Sequence, residues 1–135
     1  MAAAFAAAIG MAALWGFTVD DAWISARVAS NLARGAGYRF NSDGPVVDAV
    51  TPLGWAPLLA LFAARGSTAA LLAARWIGAL TWLVAAAGLG VKWSRLGLRA
   101  AITGTTAIAL TVPLGAWAVS GMETGLVIAL GTVAL

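Results

Sequence analysis

The sequence contains no cysteine and no histidine, and its 135 residues include only five carboxylates. These absences exclude a disulfide, a thiolate nucleophile, a Cys/His zinc centre and a Ser-His-Asp triad. A catalyst built from this chain must use carboxylates, Arg, Lys, Ser/Thr or Tyr. Charge of either sign is scarce, at 10% of residues against about a quarter in a soluble domain. No pattern of nucleic-acid recognition is present. The net charge of +3 therefore bears on topology and lipid headgroups rather than on RNA or DNA.

Apolar residues make up 62% of the chain, and several runs approach the ~20 residues needed to cross a bilayer. An all-α, multi-pass integral protein of the plasma membrane is expected. Residues 1–18 form the first span; without a basic flank they read as uncleaved, with a signal peptide as the lesser alternative. Residues 19–67 form a large outer loop carrying juxtamembrane helices, and 68–91 form the second span. The basic stretch 92–99 is a cytoplasmic loop, 100–118 a third span bent by Pro113, 119–123 a short outer loop and 124–135 part of a fourth span. Lys92, Arg95 and Arg99 face the cytoplasm by the positive-inside rule, which puts all five acids on the outer side. Residues 52–64, broken by Pro52 and Pro57, are too short to cross and read as interfacial or re-entrant. If they do cross, Glu123 and the other acids fall on opposite sides.

Four of the five acids, Asp20, Asp21, Asp43 and Asp48, lie in the polar island 19–51. Its first part, TVDDAWISARVASNLARG, predicts a surface helix of about 14 residues, with Thr18 and Asp21 at capping-box spacing and Gly35 and Gly37 as a stop. One acid suits the helix dipole, and Asp21 fills that role; two are more than a cap requires. Asp20, Arg27 and Asn31 share one helical face. Arg27 is a snorkelling side chain or a guanidinium that clamps phosphate. Arg75 lies two turns inside the second expected span, where an ionisable group is a functional candidate. Asp43, in NSDGP, reads as a turn former, and Asp48 as a solvated loop residue or a substrate contact. Trp15, Trp23, Trp55, Trp93 and Trp117 fall near expected membrane boundaries and suit an interfacial belt, with sugar stacking by Trp23 or Trp55 as the alternative.

The run DDAWISARVASNLARGAGYRFNSDGPVVDAVTPLGW resembles the first extracytoplasmic loop of GT-C-type membrane glycosyltransferases, in the arabinofuranosyltransferase-like and mannosyltransferase-like branch. Asp20, Asp21, Ile24, Arg27, Asn31, Leu32, Gly35, Gly37, Phe40, Asn41, Gly44, Thr51 and Trp55 carry that likeness, and SGMET at 120–124 resembles the opening of the family's second outer loop. The resemblance implies a polyprenyl-phosphate-linked sugar donor, a glycan, lipid or protein acceptor, and inversion at the anomeric carbon. It implies Asp20 as catalytic base, Asp21 in support and Glu123 as a second acid. Arg27, Asn31, Arg75, Trp55 and Asp48 are then the candidate substrate contacts. No cofactor is expected; a divalent metal between Asp20 and Glu123 stays open, without a third ligand in sight.

Family members have more spans than this chain, so an N-terminal piece is expected, inactive alone and completed by a C-terminal part or a partner subunit. Two other readings stand beside it. One is a non-enzymatic membrane subunit or remnant. The other is a transporter using Asp20, Arg75 and Glu123, whose acids belong near the midplane rather than at boundaries.

Overall fold

Gly66 turns the chain into its longest helix through a left-handed backbone, φ +98°, a conformation open to glycine because it lacks a Cβ. The computed structural model describes residues 1–46 and 49–134. Among these all the regular secondary structure is helical. Its helices are α1 (Ala2–Ala13), α2 (Asp20–Ala33), α3 (Trp55–Ala60), α4 (Ser67–Arg95), α5 (Leu98–Leu110), α6 (Val112–Val119) and α7 (Thr124–Val133). A single 3-10 turn, Ala63–Arg65, separates α3 from α4.

Helix α4 is the axis of the fold. It touches every other helix and joins two apolar clusters. Its first third packs Ala70, Leu71 and Ala74 against Ala26, Val28 and Ala29 of α2 and Trp55, Ala56 and Leu59 of α3. Its middle packs Ala79, Trp82, Ala85 and Ala86 against Ala3, Ala7 and Met11 of α1, Ile108 of α5 and Ala118 and Val119 of α6. Small residues bring these backbones close. A Cβ on Gly78 would overlap the Ala118 carbonyl, and one on Gly125 would overlap the backbone of Gly78.

At 29 residues α4 is long and apolar enough to cross a membrane. The other expected spans take different forms. Helix α1 covers 12 residues, about 18 Å at helix rise, against about 30 Å of hydrocarbon core. The segment expected to cross at 100–118 is two helices, bent by 59° where they meet. Pro113 sits in the first turn of α6. Its ring cannot follow a continuous helix, because it lacks the N–H and crowds the preceding carbonyls. Lys92 and Arg95 belong to the last turn of α4 rather than to a loop, which cuts the expected basic connection to Leu96-Gly97. The outward faces carry much apolar surface: Phe5, Ile9, Leu72, Leu80, Val84, Ile102, Leu110, Val127 and Leu130 are exposed.

Candidate functional site

Helix α2 begins at Asp20 behind an extended Val19 and places Asp20 and Asp21 in its first turn, where negative charge complements the unbonded N–H groups. The expected capping box does not form. No side chain caps α2, and the Thr18 hydroxyl instead donates to the Ser120 carbonyl at 2.8 Å. The stop is as expected. Gly35 adopts φ +75°, its N–H donates to the Leu32 carbonyl, and the Ala36 N–H donates to Asn31. This is the two-bond closure of a Schellman ending.

The chain then folds back along α2. Asn31 Nδ2 donates to the carbonyls of Arg39 and Phe40, at 2.8 and 3.0 Å. Its Oδ1 accepts from Arg34 Nη2 at 2.9 Å. Arg27 donates from Nε to the Phe40 carbonyl and from Nη2 to Asn41 Oδ1, both at 3.0 Å, and its guanidinium stacks 4.7 Å from the Phe40 ring centre.

Two depressions flank α2, and the adjacent aspartates open into different ones. Successive helical residues point about 100° apart, so neighbours cannot share a face. Asp20, Trp23, Ile24 and Arg27, on one face, combine with Phe40 and Ser67 to line a groove of about 420 Å³. Asp21 and Ser25, on the next face, combine with Ala49, Val50, Thr51, Pro52, Met122 and Glu123 to line a pocket of about 330 Å³. The first groove offers one carboxylate and one guanidinium between aromatic walls. The second offers two carboxylates and two hydroxyls among apolar residues.

No protein-family model, curated protein or solved structure matches the chain.

Several sequence expectations change with this geometry. The expected pairing of Asp20 with Glu123 does not occur: Glu123 lies with Asp21, while Asp20 lies with Arg27. Among the described residues no group of three metal-ligating side chains comes together. Asn31 shares the expected face with Arg27 but is 2% exposed, with one end of its amide tethering the loop and the other holding Arg34. It is a positioning residue, not a substrate ligand. Trp55 is likewise neither a stacking platform nor part of a membrane belt. It is 3% exposed, and its Nε1 donates to the Gly121 carbonyl at 3.3 Å.

Arg75 lies apart from both depressions. Its Nη2 reaches the Phe17 carbonyl at 3.5 Å, while its Nε is buried without a partner. Its neighbour Trp76 packs against Trp15 with the rings tilted by 57° and their centres 4.8 Å apart. Arg75 thus faces the connection between α1 and α2. Asp48 lies outside the described residues. Sequence reading misses Ser25. The only sequence signal for it is the four-residue step from Asp21, which places the two on one face.

Proposed function

We propose that the chain forms the N-terminal wall of a GT-C-type membrane glycosyltransferase, transferring a sugar from a polyprenyl-phosphate donor with inversion. The observation that carries this reading is the opening of Asp20 and Arg27 onto one groove with apolar walls. In it, the acceptor hydroxyl gives its proton to the Asp20 carboxylate as its oxygen bonds to the anomeric carbon. The bond from that carbon to the phosphate oxygen breaks, and the departing polyprenyl phosphate keeps the electron pair. Arg27 has two of its five N–H donors bonded to the loop. The remaining donors are suited to the phosphate charge. Trp23, Ile24 and Phe40 supply apolar surface beside the lipid's first isoprene units.

The membrane arrangement belongs to the same reading. Helix α4, the bent α5–α6 pair and α1 cross or enter the bilayer, with α7 packed beside α4. The segment from Val19 to Gly66 then lies on the outer face and Leu96-Gly97 on the inner one. The exposed leucines, isoleucines and valines of α1, α4, α5 and α7 support it. In water so much apolar surface would drive association, whereas lipid covers it at no cost.

The test is a binding measurement on the chain in lipid nanodiscs, with Trp fluorescence as readout. Undecaprenyl phosphate should bind saturably and undecaprenol should not. Arg27→Gln should weaken phosphate binding by about tenfold or more, the worth of a charge-assisted contact. Asn41→Ala, which removes one loop contact but keeps the guanidinium, should leave it intact. Equal binding of the phosphate and the alcohol would reject the assignment.

A further inference from the structure

The pocket on the Asp21 side is not used by the donor chemistry above, and it holds a buried carboxylate oxygen without a partner. Glu123 Oε2 is buried and accepts no hydrogen bond. Ser25 is 4% exposed and makes no hydrogen bond among the described residues, although it lines the pocket. Serine in a helix ordinarily returns its hydroxyl to a carbonyl one turn back. Here the hydroxyl makes no such return bond. A buried polar atom without a partner costs stability, so Glu123 Oε2, with the unbonded Ser25 hydroxyl lining the same pocket, marks a place where a ligand completes the bonding.

The donor and acceptor inventory selects the ligand's chemistry. Two carboxylates repel an anion and require donors. A metal cation or an ammonium ion supplies attraction to the carboxylates but nothing for the Ser25 proton. A hydroxyl does both, donating to a carboxylate and accepting from serine. The lining is also mixed: Asp21, Ser25, Thr51 and Glu123 bring polar groups, and Ala49, Val50, Pro52 and Met122 bring apolar surface. A sugar ring has the same mixture, hydroxyls at its edge and C–H groups on its face. A volume of about 330 Å³ accommodates one such ring.

We propose that the pocket between α2 and the α6–α7 turn binds a neutral glycan diol through Asp21, Ser25 and Glu123. It rests on the transferase reading only in naming this diol as part of the acceptor; the polyol chemistry follows from the pocket itself. Bound there, the glycan lies against the face of α2 adjoining the Asp20 groove.

The probe is methyl α-D-mannopyranoside, with a cis 2,3-diol, compared with 2-methoxytetrahydropyran, the same ring stripped of hydroxyls. Saturation-transfer NMR on the chain in nanodiscs should show saturable binding of the glycoside only. Glu123→Gln and Ser25→Ala should each weaken it several-fold, and Arg27→Gln should leave it unchanged. Asp21→Asn, at an exposed helix start, should weaken it similarly and keeps the test decisive if a buried variant misfolds. Absence of glycoside binding, equal binding of the two probes, or calcium binding alone at these residues would overturn the proposal. Glycoside binding without undecaprenyl phosphate binding would uphold the pocket and remove the transferase reading; the converse would do the opposite.

Discussion

Trp55 Nε1 donates a 3.3 Å hydrogen bond to the Gly121 carbonyl, 66 residues further along the chain. Thr18, just before α2, holds the neighbouring Ser120 carbonyl. The turn carrying Glu123 is thus fastened from two sides, which positions that acid opposite Asp21. Gly121 itself has φ +96°, and a Cβ there would press on Leu71 and Ala22, so this turn admits glycine alone.

Trp55→Phe keeps most of the buried volume and removes the hydrogen bond. It should lower stability by about 1 kcal/mol. Trp55→Ala also opens a cavity and should cost about 3–5 kcal/mol. Equilibrium denaturation in detergent checks both, and a neutral Trp55→Ala would contradict the core assignment.

Asn31→Ala should release the loop that ends at Gly44, since three hydrogen bonds converge on that amide. The expected cost is about 1–3 kcal/mol. Limited trypsin digestion provides the readout: cleavage after Arg39 should accelerate while α4 stays protected.

Gly78→Ala should destabilise the crossing of α4, α6 and α7 by about 1–3 kcal/mol, the usual penalty of overpacking. Gly88 lies on the same helix with nothing within 4 Å of its would-be Cβ. There, alanine should be neutral or stabilise by up to about 1 kcal/mol through helix propensity. Thermal unfolding of the two variants side by side separates packing from propensity.

Asp43 and Leu96 are exposed and lie on either side of α4 in sequence. With no native cysteine to remove, Asp43→Cys and Leu96→Cys can be labelled directly in cells. Asp43→Cys should react with an impermeant maleimide from outside, and Leu96→Cys only after permeabilisation. Labelling of both from one side would show that α4 does not cross.

The limits of helix α2 were legible because they are local. Turn-forming Gly35, the acids of the first turn and the apolar steps among Ile24, Val28 and Leu32 all act within a few residues. The break in the third expected span was legible in Pro113 for the same reason. The short reach of α1 was less so. Apolar character continues through Phe17, but the helix ends at Ala13, and hydropathy alone carries no signal for where hydrogen bonding stops.

The sequence by itself determined an all-helical chain with a membrane-length helix and a polar island, because composition and periodicity act along the backbone. Only the tertiary structure decided which side chains meet. It divided Asp20 from Asp21, paired Asp21 with Glu123 about a hundred residues away in sequence, and turned Asn31 and Trp55 into struts. The physical reason is that α4 brings α2 and the α6–α7 turn together through close contacts at Gly78, Gly121 and Gly125. Neighbours on one helix diverge by rotation, whereas residues far apart converge only where backbones pack.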